Sequence, residues 1–297
     1  KDAFTAAIDL NPGFMPPYIN LGNVLERLGA NDQAITQWSK AADHLGAITG
    51  EAIQHKTTAL KQIGRVFETA KLEANAEEIL KRSLDINPRQ RDVIQHWIAL
   101  RQSQCKWPVF STETSAANEE MLQSISPLSL AVYSDDPLFQ LASAHHYNKH
   151  DVRPASILVK TQQNAREISR HGRLRIGYVS SDLREHAVGF LMSEVFTLHD
   201  RSSVEIFAYY CGISTTDKTQ AHFKASADHW RDITGVSDED AAARIVADEI
   251  DILVDLNGYT KDARLKLIAM RPAPIIVNWL GFPGTMASPY HNYIVAD

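Results

Sequence analysis

The N-terminal third of the chain repeats itself. Phe4 and Trp38 lie 34 residues apart, as do Ala7 and Ala41. Gly22 and Gly64 are separated by 42, as are Ala34 and Ala76, and Pro12 and Pro88 by 76. The longer intervals are one and two 34-residue periods carrying a single insertion of eight, which falls near 44–52. Within a period, Tyr18, Leu21, Gly22 and Leu25, then Ala34, Trp38 and Ala41, recur at helical spacing on two arms. A chain patterned this way folds as stacked helical hairpins, because one hairpin cannot bury its apolar face alone. Gly22 and Ala34 let paired helices approach closely, and Tyr18 and Trp38 are expected to fill the gap between successive pairs.

This periodicity resembles the tetratricopeptide repeat, a helix–turn–helix unit of the same length. The expected elements are the second helix of one repeat (1–12), a full repeat (15–46), another (57–88) and a degenerate or capping helix (91–104). Such units need several neighbours to be stable, and the chain begins at KDAFTAAIDL already in a helical pattern, so further repeats are expected upstream. Solenoids of this kind offer a concave groove to extended peptides. Asn20 and Gln62 hold equivalent places in successive repeats, and a carboxamide can pair with a peptide backbone as both donor and acceptor. Solvation of an exposed helix face is the competing explanation for both, and composition favours it.

Residues 105–172 are transitional. The stretch from Cys105 to Asn118 reads as a turn into a helix, Pro127 starts another helix, and Asp135, Asp136 and Pro137 break it. Residues 138–148 look helical, and 151–172 read as a polar, basic linker. His145, His146 and His150 cluster there without the cysteine or acid of a metal set, so they are taken as solvated or capping histidines.

From Arg173 the pattern alternates between apolar strands and helices. Strands are expected at 174–179, 204–210, 250–256, 274–279 and 293–296, and helices at 188–199, 216–227, 238–248 and 262–270. Such alternation predicts a parallel sheet covered on both faces. Ligands of open α/β sheets lie at the carboxyl edge of the strands. Asp182 and His186, in the turn after the first strand, are therefore the foremost candidates for chemistry. Capping the following helix is the alternative for His186, and an N-cap or turn role the alternative for Asp182.

Composition narrows the remaining classes. A formal charge of -6 argues against nucleic acid as a main partner, and no apolar run approaches the length of a membrane span. Neither GxGxxG nor a phosphate-binding P-loop occurs, so nicotinamide and ATPase chemistry find no support. The two cysteines, Cys105 and Cys211, read as packed thiols in a reducing cytoplasm.

The stretches LRIGYVSSDLREHAVGFL, DILVDLNGYTKDARLKLIAMRPAPI and VNWLGFPGTM follow the repeats in that order. Together they resemble the protein O-linked N-acetylglucosamine transferase family, including its bacterial and plant SPINDLY-like relatives. The resemblance implies an α superhelix of tetratricopeptide repeats (1–104), a helical transition (105–172) and the N-terminal Rossmann-like lobe of a GT-B glycosyltransferase (173–297). It also implies inverting transfer of a sugar from UDP-N-acetylglucosamine to Ser or Thr hydroxyls of proteins, with no metal and no other cofactor. The repeats would hold the acceptor protein. Carried over from the family's motifs, His186 is the proposed general base and Asp182 a second base or relay candidate. Leu280 and Gly281 line the donor sugar, and Val188, in the same turn as His186, is expected to join them in binding substrate. Asn257, Gly258, Tyr259 and Thr260 of the NGYT motif and Arg264 after it flank the cleft in a supporting role; as turn residues after a strand, Asn257 and Tyr259 have a plain structural alternative.

Two departures from the family pattern point to a bacterial member. His186-Ala187-Val188 replaces the family's His-Pro-Thr, removing a hydroxyl, and ISPLSL at 125–130 lacks the upstream histidine of animal members. The sequence ends at YIVAD, where the family's first lobe ends. The second lobe supplies the lysine and the histidine–threonine residues that hold the nucleotide diphosphate. The 297 residues alone are therefore expected to show no transfer. A fucosyltransferase-like relative using GDP-fucose and a non-catalytic repeat scaffold are the two rival functions.

Overall fold

The computed structural model describes residues 1–44, 49–110, 115–152 and 172–296. It divides into two compact units, Lys1–Ile125 and Ser126–Asp297.

The first unit carries the repeats as helices α1 (Asp2–Leu10), α2 (Met15–Arg27), α3 (Asn31–Asp43), α4 (Gly50–Thr69), α5 (Glu73–Ile86) and α6 (Arg91–Ser103), with α7 (Asn118–Ser124) after them. The small residues set the helix spacing. A Cβ on Gly22 would lie 2.3 Å from the Trp38 indole nitrogen, and one on Gly64 would lie 2.6 Å from Leu80 Cδ2. Trp38 is fully buried and donates its indole N–H to the Ile19 carbonyl at 3.2 Å. Trp38 therefore seats on the glycine of its own pair, a closer partner than the gap between pairs expected for it. The insertion is also placed differently from expectation. Helix α4 begins at Gly50, seven residues before the expected 57, and runs to 20 residues where α2 has 13. Part of the added sequence has simply lengthened the helix, whose first turn is capped by Thr49 Oγ1 accepting from the Ala52 N–H at 3.2 Å.

A second period appears only in the backbone. Helices α2, α4 and α6 each end in a residue of left-handed conformation: Gly29 (φ 77), Lys71 (φ 62) and Cys105 (φ 53). In all three, the next N–H reaches back to the carbonyl five residues before it, Ala30 to Leu25, Leu72 to Phe67 and Lys106 to Arg101. This is the Schellman ending, which glycine adopts without strain and other residues at a cost.

The second unit begins with α8 (Pro127–Tyr133), α9 (Pro137–Tyr147) and a π-helical turn (Asn148–Val152). The helices expected in the 105–172 transition are thus shared between the two units, and the linker expected at 151–172 lies almost wholly outside the described residues. Six parallel strands follow: β1 (Leu174–Ser180), β2 (Val204–Tyr210), β3 (His229–Asp232), β4 (Ile252–Asp255), β5 (Ile275–Trp279) and β6 (Tyr293–Val295). Their order is β3-β2-β1-β4-β5-β6, the doubly wound arrangement.

Helices α10 (Ala187–Met192), α11 (Val195–Leu198) and α12 (Lys218–Ser226) share one core with Tyr178, Ile206, Ala208, Tyr210 and Val254. Helices α13 (Asp238–Ala247) and α14 (Leu265–Ala269) share the other with Val179, Phe207, Tyr209, Leu253 and Ile276. Alternate strand residues feed opposite cores, as a sheet covered on both faces requires. The expected strands are all present. Strand β3 was not anticipated, because HWRD is short and polar and pairs only with β2 at the sheet edge. The single helix expected at 188–199 is two pieces. Ser193 Oγ donates to the Phe190 carbonyl at 2.9 Å between them, the kind of local bond that competes with helix continuation.

Two opposing effects decide the outcome at Gly22. Alanine in mid-helix gains about 1 kcal/mol of propensity, and overpacking a closed core costs about 1–3 kcal/mol. Gly22→Ala should therefore destabilise in urea unfolding, while Lys71→Gly, which relieves a left-handed residue, should stabilise by roughly 0.5–1 kcal/mol.

Candidate active site

Strands β1 and β4 are sequence-distant neighbours, and the sheet changes winding direction between them. The loops leaving their carboxyl ends therefore diverge to opposite faces and leave a crevice, the ligand position of this architecture. Ser181 and Asp182 stand on one side and Asn257 on the other.

The Asn257 carboxamide, only 1% exposed, ties the two loops together. Its Oδ1 accepts the Ser181 backbone N–H at 3.0 Å. A backbone N–H can only donate, so the amide orientation is fixed, and Nδ2 faces Ser181 Oγ (2.8 Å), Asp182 Oδ2 (3.1 Å) and Thr260 Oγ1 (3.0 Å). Ser180 Oγ accepts the Asp182 N–H at 2.9 Å, closing the turn from the β1 side.

Asp182 and His186 are brought together as the motif implied. Asp182 is buried, with Oδ1 3.2 Å from Arg184 Nη2 and 3.7 Å from His186 Nδ1. His186 is partly open to solvent and occupies the N-cap of α10, where Nδ1 accepts the Val188 N–H at 3.3 Å. Nδ1 thus faces a donor and a carboxylate at once. While it accepts from Val188, the neutral ring carries its proton on Nε2 and offers no outward base. With the proton on Nδ1 directed at Asp182, Nε2 is free to accept one. Cap and base are two tautomers of one residue, separated by a small movement of the ring toward Asp182.

The other motif residues have diverse surroundings. The Val188 side chain is buried in the core with Met192 and Phe196. Thr260 Oγ1 donates to the Asn257 carbonyl at 3.1 Å, so it braces the turn. Tyr259 is buried with Phe282, Met286 and Ala144, and its hydroxyl is 2.5 Å from the Met286 carbonyl and 2.6 Å from Asn148 Nδ2. Burial pushes its phenol pKa upward. Arg264 binds Asp238 at 2.6 Å and the Ile233 and Val236 carbonyls at 3.2 and 2.9 Å, clamping the loop before α13. Leu280 has φ 73, and a Cβ on Gly281 would lie 2.0 Å from the Leu256 carbonyl oxygen. Leu280 and Gly281 therefore press the β5 exit loop against the β4 exit loop.

Two further glycines have the same role and were not singled out from the sequence. A Cβ on Gly189 would meet the Arg184 carbonyl, and one on Gly212 the Ser181 carbonyl, each at 2.0 Å. The signal available for Gly189 was its place inside a helix, where glycine is costly without a packing reason. Away from the crevice, Asn20 is exposed, whereas Gln62 Oε1 accepts from Arg65 at 2.9 and 3.1 Å. The His146 and His150 rings lie 4.2 Å apart and are tilted by 34°, and no group of three or more His, Cys, Asp or Glu among the described residues is arranged to hold a metal.

The model of glycosyl transferase family 41 matches residues 113–297, more than half of the chain. The chain belongs to that family. A probable UDP-N-acetylglucosamine–peptide N-acetylglucosaminyltransferase, SEC, of Arabidopsis thaliana is 37% identical over 190 residues, covering 61% of this chain and 19% of that protein. The corresponding transferase of Caenorhabditis elegans is 41% identical over 126 residues, covering 42% of this chain and 11% of its own length. A solved structure of a Thermobaculum terrenum O-GlcNAc transferase mutant superposes with a TM-score of 0.67 at 23% identity, over 95% of this chain and 53% of that one. That likeness confirms the fold of repeats followed by a Rossmann-like lobe. The family 41 chain thus spans a fifth or less of these two curated relatives. Among its described residues no helix is long and apolar enough to cross a membrane.

Asn257→Ala leaves several buried polar groups unpaired, and should cost the lobe about 2–4 kcal/mol in urea unfolding. Burial pushes the Cys211 thiol up to about 12, whereas Cys105 is exposed. At pH 8, Ellman's reagent should modify one thiol per native chain in the fast phase, and Cys105→Ser should abolish that phase.

Proposed function

We propose that this chain is the repeat region and acceptor-side lobe of an enzyme that moves N-acetylglucosamine from UDP-N-acetylglucosamine to Ser or Thr hydroxyls of proteins. The observation that carries it is the Asp182–His186 pair, held by Asn257 at the sheet's switch point. Membership of family 41 and the printed activities of the relatives support the choice of donor and acceptor. In a single displacement, the acceptor oxygen attacks the anomeric carbon while the bond to the diphosphate oxygen breaks on the opposite face, which inverts the configuration. The hydroxyl proton passes to His186 Nε2, and Asp182 stabilises the resulting imidazolium through Nδ1–H. The electron pair leaves with the nucleoside diphosphate, and stabilising that charge is assigned to groups outside these residues. No metal enters the scheme. Exposed Asn20 is the carboxamide suited to an acceptor backbone; Gln62 must first release Arg65. A cytoplasmic setting is proposed with it, consistent with two unpaired cysteines.

The test is transfer to a Ser/Thr-containing peptide by the full-length protein, with UDP-N-acetylglucosamine and GDP-fucose offered in parallel. Sugar is expected from the first donor only. His186→Ala should lower kcat about 10²–10⁴-fold with little change in folding. Unchanged kcat in that variant removes the base role. Transfer from GDP-fucose alone moves the protein to the fucosyl branch, and transfer from neither donor leaves the scaffold function standing.

A further inference from the structure

A second buried network lies under the same corner and reaches Ser288 and His291, which stand outside every motif quoted above. Asp255, the last residue of β4, is 3% exposed. Its Oδ1 accepts the backbone N–H groups of Asn257 and Gly258 at 3.0 and 3.2 Å. Its Oδ2 shares the Gly258 N–H at 3.2 Å, lies 3.2 Å from His291 Nε2 and, more distantly, 3.5 Å from Asn278 Nδ2. His291 precedes β6, and its side chain is 6% exposed. Its Nδ1 stands 2.9 Å from Ser288 Oγ, which also accepts the Tyr290 N–H at 3.2 Å.

Donor and acceptor rules place the protons of the neutral ring. A carboxylate only accepts, so His291 Nε2 carries a hydrogen. In the neutral ring Nδ1 is then bare and takes the Ser288 hydroxyl hydrogen, while the serine oxygen accepts from Tyr290. Every group in the chain Ser288–His291–Asp255 has a partner, which is the condition for a buried polar network to order its surroundings.

The order it imposes reaches the candidate active site. Asp255 holds both N–H groups of the turn from which the Asn257 side chain departs. Gly258 has φ 59, and a Cβ there would lie 2.6 Å from Phe282 Cβ, so the turn is confined from the other side as well. Contacts therefore run without a break from His291 to Asp255, to the Asn257–Gly258 amides, to Asn257 Nδ2 and on to Asp182. We propose that His291 is a positioning residue for this corner: by holding the Asp255 carboxylate it sets the turn that aims Asn257 at Asp182 and so fixes the carboxylate facing His186. Its importance for turnover rests on the function proposed above; the placement itself does not. An apolar residue at position 291 would remove the one side-chain donor close to Oδ2, leaving it the Gly258 N–H it shares with Oδ1 and the long Asn278 contact, and the carboxylate would turn. Glutamine would keep a donor within reach of Asp255.

The test reads the corner directly, in the 297-residue chain labelled with ¹⁵N at asparagine and histidine. Asn257→Ser identifies the Asn257 side-chain amide signals, and His186→Gln identifies the His186 ring nitrogens. His291→Met should shift both sets, and His291→Gln should leave both near their wild-type positions. Asp255→Asn provides a second variant should His291→Met not fold, and it should shift the same signals. Unmoved Asn257 and His186 signals in a folded His291→Met chain, or in Asp255→Asn, overturn the proposal. In the full-length protein His291→Met should lower kcat about 10–100-fold with KM for UDP-N-acetylglucosamine unchanged, and His291→Gln should restore it. A wild-type protein that transfers no sugar overturns the proposed function and leaves the spectral result intact. Spectral shifts with unchanged kcat separate the two the other way.

Discussion

One carboxamide holds the candidate site in place. Parallel strands deliver their carboxyl ends side by side, but at the switch point the loops that follow leave in opposite directions. Something must bridge them, and here Asn257 does, with its oxygen on one backbone N–H and its nitrogen on three side-chain oxygens. Because it is buried, each of those bonds is costly to lose. Asp182, and through it the ring of His186, inherits its position from that bridge.

The close approach of the loops depends on missing side chains as much as on hydrogen bonds. Gly189, Gly212 and Gly281 each admit a carbonyl oxygen into the space a Cβ would fill. The β2 exit loop is thereby packed backbone to backbone on the β1 exit loop, the β5 exit loop on the β4 exit loop, and α10 on the loop that leads into it. The repeats use the same device differently, seating Trp38 on Gly22 and Leu80 on Gly64 to set the distance between paired helices. Where glycine would be equally apt at the ends of α4 and α6, Lys71 and Cys105 stand instead in the left-handed conformation, each at some cost in strain.

His186 shows how a structural role and the proposed chemical one can fall on a single residue. The N-cap position satisfies an otherwise orphaned helix N–H, and the same nitrogen faces Asp182. The two contacts select different tautomers, so the proposed base role requires the proton on Nδ1 where the cap requires it on Nε2. No such choice can be seen in the motif itself, where capping and catalysis had to be left as alternatives.

Much of the molecule was legible in the amino-acid order because the signals were local or periodic. The 34-residue recurrence determined the repeats, the alternation of apolar strands and helices determined the parallel sheet, and the motifs after β1, β4 and β5 determined the family. Strand β3 escaped because four polar edge residues carry no periodicity, and the lengthened α4 because an insertion does not announce whether it will be helix or loop. Tertiary structure alone decided which side chains serve the corner. It committed Arg264 to Asp238 and Tyr259 to the packing around Met286, and it joined His291 and Asp255 to the turn of Asn257. The bridge they serve joins Ser181 and Asn257, 76 positions apart along the chain. Only the register of a folded parallel sheet brings such residues within hydrogen-bond distance.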